Sequence, residues 1–384
     1  MKKDVLTGPP DRFSQSSHNQ TTRNAICLCT DRRMMIPSLF VADSVKFHAG
    51  ASGNRFDVIV FSEPSEVTDV HRQWMEQRNI LFCDDMDLSR QQGVGKFQGR
   101  ISPATLMKLS LAEHLAGQYD KILYLDCDLT IQDDVAPIFS LDTAPFALAA
   151  VPSGRILVEL SERQRQETED HFHNLGMTKP YRYFNSGVLY IGVDRWNRED
   201  LGNRALDFIR QNPDLCFLPD EHGLNAVLDG NFAQLSPIWN ARPPQRWRRK
   251  ALEIARPVII HYTDKHKPWR PFGYQKRLFS NRSAYRLYNN FIKESPWPGW
   301  LNEQWSWRDF YLNIRWEIRR LLNKMKGTLE EPTLEQRRAY INAVRRYVAE
   351  ERFFDVEQGV VIRENGKLRL KTGLAADEIS GKNN

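Results

Sequence analysis

The chain has 384 residues, 41% of them hydrophobic and 27% charged, enough to bury a sizeable core and ordinary for a soluble globular protein. A net charge of +6 is too modest to argue for nucleic-acid binding, but it suits a nucleotide-carrying substrate, an acidic glycan or an anionic membrane surface. The five cysteines, Cys27, Cys29, Cys83, Cys127 and Cys216, form no CxxC pair and have no His cluster at zinc spacing, which excludes a disulfide framework and points to a reducing compartment.

Residues 1–24 are polar and lack periodicity, and they lack the apolar core of a signal peptide. A disordered leader and a cytoplasmic protein are expected. The run Ala25–Thr30 reads as the first strand, ending at Asp31. A helix is expected over 36–48, with Pro37 tolerated in its first turn. Strands at 56–61 and 80–83 flank a helix at 67–78. Leucines at 106, 109, 111 and 115 predict a helix over 102–116, capped by Ser102 with Pro103 at its first position. The run Ile122-Leu123-Tyr124-Leu125 is too short for a helix and reads as a buried strand. Strands alternating with helices imply an α/β sandwich with a mostly parallel sheet, whose ligands bind at the carboxyl ends of the strands.

Further strands are expected at 146–151, 187–191 and 258–262, the last closing the core. Helices are expected at 160–174, 203–211 and 221–228. A Pro- and Trp-rich patch from Pro268 to Trp300 marks a boundary, giving a 25–290 domain and a 291–384 extension. In the extension, Trp307, Phe310, Ile314, Ile318, Leu321, Leu322 and Met325 recur at helical spacing opposite Arg308, Arg315, Arg319, Lys324 and Lys326. Such a basic, Trp-bearing helix over 305–326 either meets an anionic membrane surface or packs on the core with a solvated basic face. A capping box at Thr333 and Gln336 opens a second helix, to about Phe353. A hairpin with an Asn365-Gly366 turn joins 360–363 to 367–370. No run approaches the length of a transmembrane helix.

Chemistry concentrates at Asp126-Cys127-Asp128. Two carboxylates at a buried strand end need neutralising, and in an extended chain they leave on the same side. They make either a hard-oxygen site for Mg²⁺ or Mn²⁺ or a polar strand end capping its own turn. A second cluster, His261-Tyr262-Thr263-Asp264-Lys265-His266-Lys267-Pro268-Trp269, follows a strand. A neutral His can complete a metal site begun by two Asp residues, and a Lys in the next loop can meet a phosphate.

With these segments the chain resembles the retaining glycosyltransferases of family 8, bacterial lipopolysaccharide galactosyl- and glucosyltransferases among them. Six segments carry the resemblance in the family's order. They are the strand entering Asp31, the helix Ala104–Leu109, Leu125-Asp126-Cys127-Asp128, Tyr183-Phe184-Asn185-Ser186-Gly187-Val188, Asp220-Glu221-His222-Gly223-Leu224-Asn225, and His261-Tyr262 with Lys267-Pro268-Trp269. The resemblance implies a GT-A type α/β/α sandwich with a C-terminal helical appendage, a UDP-sugar donor and a glycan acceptor, lipid-linked in the leading reading. It implies that Asp126, Asp128 and His261 hold Mn²⁺ or Mg²⁺, and that Lys267 and Lys108 serve the donor's phosphates. Asp31, with the backbone of Cys29 and Thr30, would meet the nucleoside. Asn185 would orient the sugar, and Asp220 and Glu221 would face its anomeric carbon. Four positions depart from the family's habit: Lys108 for Arg, Glu221 for Gln, Pro152-Ser153 where an acidic residue is common, and Arg33 for a small polar residue. The alternatives are the same fold acting on a soluble or protein acceptor, and a non-catalytic nucleotide- or glycan-binding protein. The expected location is the cytoplasm, peripheral to the inner face of the cytoplasmic membrane.

Overall fold

The structure, a computed structural model, describes residues 23–94, 102–153, 162–179, 182–242, 256–263, 267–269 and 279–304, isolated helical positions between 307 and 338, and the segments 360–364 and 367–371. The expected leader at 1–22 and nearly all of the second C-terminal helix lie outside these residues.

A seven-stranded sheet is built from β1 (Asn24–Cys29), β2 (Asp57–Phe61), β3 (Leu81–Cys83), β4 (Lys121–Leu125), β6 (Leu148–Pro152), β7 (Phe184–Gly192) and β8 (Ala233–Gln234), in the order β3-β2-β1-β4-β7-β6-β8. The first four strands are parallel, while β7 runs antiparallel to both β4 and β6. The sheet is therefore mainly parallel, as expected. The first and fourth strands are buried on both faces, which explains their continuous apolar runs. Ile26, Leu28, Leu123 and Leu125 join one core, while Ala25, Cys27, Ile122 and Tyr124 join the other.

Helices α1 (Met35–Ala49) and α2 (Asp69–Glu76) cover the first core. It is closed by α8 (Phe279–Glu294), whose Tyr288 ring stacks on Phe40 at 3.7 Å. Helix α8 crosses the expected 290/291 boundary, and the Pro- and Trp-rich composition around it had masked its periodicity. The second core lies under α6 (Leu201–Gln211) and α7 (Pro219–Leu228). Helices α4 (Glu162–Asn174) and α5 (Val193–Arg198) flank β7.

Two expectations need correction. The 102–116 segment is not one α-helix: Pro103–Ser110 winds as a 3₁₀ helix and only Leu111–His114 (α3) makes an α turn. The four consecutive residues Leu106–Leu109 are buried, since α6 and α7 pack over the side that a surface helix would leave to water. The Ser102 cap forms, accepting from the Ala104 N–H at 3.3 Å. The expected last core strand is β9 (Ile259–His261), but it lies outside the main sheet. It pairs antiparallel with β5 (Leu129–Ile131), a strand too short to read from sequence.

In the C-terminal region β10 (Val360–Glu364) and β11 (Lys367–Lys371) pair antiparallel, the expected hairpin. The described positions from 307 to 325 are helical, and Trp307, Tyr311, Ile314, Ile318, Leu321, Leu322 and Met325 are all exposed. Among the described residues no helix is long and apolar enough to cross a membrane.

Candidate active site

The site forms where β4 ends. Asp126-Cys127-Asp128 occupies a bend between β4 and β5 rather than an extended strand, so the two carboxylates are aimed by that bend. The β5–β9 pairing sets Leu129 opposite His261 and brings the imidazole to Asp128 across 133 residues of sequence. His261 Nε2 lies 3.0 Å from Asp128 Oδ1 and 3.6 Å from Asp126 Oδ2. One donor atom from each of the three lies within 4.8 Å of the others.

The tautomer of His261 follows from the network behind it. The Gly187 N–H donates to Asn185 Oδ1 at 3.2 Å, and Asn185 Nδ2 donates to Glu221 Oε2 at 2.7 Å. That orientation makes Asn240 Nδ2 the donor to Asn185 Oδ1 at 2.9 Å, which leaves Asn240 Oδ1 to accept from His261 Nδ1 at 2.9 Å. The Nε2 lone pair then faces two carboxylate oxygens. These three acceptors could hold a cation, and the oxygen-rich set with one imidazole fits Mn²⁺ or Mg²⁺. A Cβ at position 187 would fall 2.2 Å from His261 Cε1 and 2.5 Å from Asp126 Oδ2, so only glycine lets β7 pass this close.

Lys108 is not a solvated helix residue. Its side chain is 1% exposed, and Nζ bridges Asp220 Oδ2 at 2.7 Å and Asp126 Oδ1 at 3.2 Å. Burial alone would lower its pKa. The charges of Asp126 and Asp220 overcome that and hold the ammonium above the ordinary lysine value. Ser186 Oγ donates to Asp220 Oδ2 at 2.7 Å, and the Tyr124 hydroxyl donates to Asp126 Oδ1 at 2.7 Å. On the other side, Lys267 Nζ donates to Asp128 Oδ2 and to the Tyr262 carbonyl. Burial would raise the Asp128 pKa, but the Lys267 ammonium beside it pulls it well below the carboxylate range.

Glu221 is 8% exposed and takes three donors: Tyr183 OH at 2.6 Å on Oε1, and Asn185 Nδ2 at 2.7 Å and the Ser186 N–H at 3.2 Å on Oε2. Burial raises its pKa despite those bonds. Asn225 fixes its height by pairing with both backbone groups of Phe184, at 2.9 and 2.8 Å, which ties α7 to β7. The ring of Phe172, from the charged helix α4, stacks on Tyr183 at 4.0 Å. The charge of Arg242 also acts on Glu221, and its Nη2 donates to Ser153 Oγ at 2.6 Å.

Asp31 and Thr30 stand apart from this network, at the end of β1. Asp31 Oδ1 accepts the Met34 N–H at 3.0 Å, opening α1. With Glu66, Gln91, Ser102 and Met107 they line a cleft of about 360 Å³. The Cys29 side chain is buried in the core, and its carbonyl accepts from Cys127 Sγ at 3.3 Å, so only its backbone is near the site.

The structure thus gathers Lys108, Asp126, Asp128, Asn185, Asp220, Glu221, His261 and Lys267 into one hydrogen-bonded unit, with Cys29, Thr30 and Asp31 beside it. Sequence reasoning missed Asn240 and Arg242 altogether, and saw Tyr183 and Ser186 only as parts of a motif. Asn240 carries no sequence signal, because it reaches His261 through the backbone bond from His261 N–H to Ala241 O.

Several known proteins are similar to this chain. General stress protein A of Bacillus subtilis is 28% identical over 183 residues, covering 44% of this chain and 60% of that protein. Lipopolysaccharide 1,2-glucosyltransferase of Escherichia coli is 24% identical over 206 residues, covering 51% of this chain and 56% of that one. The chain therefore spans little more than half the length of these relatives. Among solved structures, galactosyltransferase LgtC with donor and acceptor sugar analogues superposes with a TM-score of 0.56 at 21% identity, over 70% of this chain and 95% of LgtC, a likeness of fold. Residues 26–272 match the sequence model of glycosyl transferase family 8. The chain belongs to glycosyl transferase family 8.

Proposed function

We propose that the protein is a retaining, metal-dependent hexosyltransferase. In this reading it moves galactose or glucose from a UDP-sugar to a cell-surface glycan such as a lipopolysaccharide core. The observation that carries this reading is the convergence of Asp126, Asp128 and His261, with the His261 tautomer fixed for metal ligation by Asn240. The lipopolysaccharide relative and the galactosyltransferase fold supply the choice of sugar and acceptor class.

A divalent ion held by Asp126, Asp128 and His261 would set positive charge against the two phosphates of the departing UDP. Lys267 sits at the same carboxylate and is placed to shift from Asp128 to a phosphate oxygen as that charge builds. Lys108 serves the phosphates indirectly: it bridges Asp126 and Asp220 and holds them together. The cleft at Thr30 and Asp31 takes the nucleoside, with the Cys29 carbonyl behind it.

Asn185 spends both oxygen lone pairs and one N–H inside the protein, which leaves one N–H for a sugar hydroxyl. Glu221 acts as a fixed negative charge beside the anomeric carbon. With three donors holding its oxygens it is suited to stabilise an oxocarbenium-like centre rather than to attack it. The bond from the anomeric carbon to UDP breaks, the acceptor oxygen bonds on the same face, and its proton passes to the departing phosphate oxygen.

The exposed apolar face at Trp307, Ile314, Ile318 and Met325, with exposed Arg315 and Arg319, supports the membrane reading of the C-terminal helix over packing on the core. The free cysteines suit a cytoplasmic enzyme working at the inner face of the cytoplasmic membrane.

The test is a panel of UDP-sugars with Mn²⁺, read by UDP release without acceptor. Hydrolysis of one donor, lost in Asp128→Ala, is expected. Binding of no nucleotide sugar would sink the enzyme reading and leave a glycan-binding protein. Release stimulated by a soluble sugar or a protein, but not by lipopolysaccharide core, would move the acceptor class. Flotation with anionic liposomes should be lost on removing residues 301–384, and unchanged flotation would remove the membrane contact.

A further inference from the structure

A second cluster of metal-ligating side chains lies away from Asp126. Cys83 ends β3, Asp85 follows two residues later, and His114 ends α3. Cys83 Sγ is 3.1 Å from Asp85 Oδ1 and 3.2 Å from His114 Nε2, and His114 Nε2 is 3.7 Å from Asp85 Oδ1. Tetrahedral zinc with bonds of about 2.3 Å to sulfur and about 2.0–2.2 Å to nitrogen and oxygen separates its ligands by about 3.3–3.6 Å. The three separations straddle that range, the two to sulfur shorter and the third longer, so the donor atoms approximate one triangular face of such a site.

We propose that Cys83, Asp85 and His114 bind a zinc-type divalent ion, with the fourth position open to water. The ligand chemistry separates this site from the one at Asp126. Sulfur, imidazole and a single carboxylate select a borderline-soft ion, whereas two carboxylates and an imidazole suit Mn²⁺ or Mg²⁺. Cys83 is buried while the Asp85 side chain is 71% exposed, which gives the ion a route in from solvent. The Phe61 ring meets the His114 imidazole edge to face at 5.9 Å and fixes its plane.

Two other roles fit less well. Cys83 Sγ is buried and donates to Asp85 Oδ1, so without a metal it is a poor nucleophile and a poor redox sensor. A bound metal would displace that proton to solvent as the sulfur–metal bond forms. The consequence lies in the segment after β3. Leu88, Gln91 and Gln92 line the cleft at Asp31, and an ion joining Cys83 and Asp85 to α3 would pin the start of that segment.

Cobalt substitution in the full-length, chelator-stripped protein tests the site. Thiolate-to-Co²⁺ charge-transfer absorption with tetrahedral d–d bands is expected, saturating near one equivalent and erased by Zn²⁺. The Asp126, Asp128 and His261 set holds no thiolate and gives no such band. Cys83→Ser should abolish it. Asp85→Asn, at an exposed position, should weaken Co²⁺ binding about tenfold or more and keeps the test decisive if the Cys83 variant does not fold. Absence of the band in the parent protein, its persistence in Cys83→Ser, or unchanged affinity in Asp85→Asn would overturn the proposal and leave a hydrogen-bonded cluster only.

Discussion

His261 and Asn240 are joined by a single bond of 2.9 Å from Nδ1 to Oδ1, and that bond leaves the Nε2 lone pair facing Asp126 and Asp128. Among the described residues Asn240 hydrogen-bonds to neither Asp126 nor Asp128, yet its own orientation is inherited from Asn185 and, behind it, from Glu221. Outer partners of this kind commonly carry about 10–100-fold in metal affinity. Asn240→Ala should weaken Mn²⁺ binding by that factor, read by calorimetric titration. Asp128→Ala should abolish it. Unchanged affinity in Asn240→Ala would mean that β9 alone positions the imidazole.

Lys108 gives a stability prediction. Its ammonium is buried between Asp126 and Asp220, so removing it leaves two carboxylates close together with no counter-charge. Breaking a buried pair from one side costs about 3–5 kcal/mol. Lys108→Met should lose about that much in urea unfolding, and adding Asp220→Asn should recover part of it. A variant as stable as the parent would mean that water reaches the pair.

Glu221 links pH to stability through burial. Its pKa is raised in the folded protein, so as pH rises the unfolded chain ionises first and folding loses free energy. That cost is absent below the ordinary carboxylate pKa and fully present above the raised one. Glu221→Gln removes it while keeping an oxygen for Asn185 and Ser186 and an amide for the Tyr183 hydroxyl. Melting curves should show the variant more stable than the parent at neutral pH, with the difference vanishing under acid conditions. Turnover should fall by no more than about 10²–10³-fold, as for loss of one electrostatic stabiliser. Complete loss with UDP-sugar binding intact would make Glu221 the nucleophile.

Much of the sheet was legible because its strands are buried on both faces and so read as unbroken apolar runs, as in Ile122–Leu125. What escaped was short or non-local. Strands β5 and β8 have three and two residues, below any periodicity. The burial of Lys108 was not legible, because the helix expected over 102–116 would leave one face wet, and α7 covers that face with Asp220. The ligand residues stood out by chemical type. Asn240 and Arg242 act through contacts made by folding, at positions whose sequence neighbours say nothing about them. The same holds for Cys83 and His114, which are 31 residues apart and match no zinc spacing, yet meet at 3.2 Å.

Arg242 supplies the remaining test. Arg242 is half-buried, and its charge opposes the burial that raises the Glu221 carboxyl pKa. Burial also lowers the pKa of Arg242 itself, with Glu221 offsetting that effect, so each group helps the other stay ionised. In Arg242→Met that support is gone, and the Glu221 pKa should rise further. Since the proposed role of Glu221 requires the carboxylate, the acid limb of the kcat/KM profile should move to higher pH, with little change at alkaline pH. Glu221→Gln has no proton to lose here and should flatten that limb, with or without Arg242. An Arg242→Met profile that falls evenly at every pH would assign Arg242 to packing against Ser153 and not to the charge of Glu221.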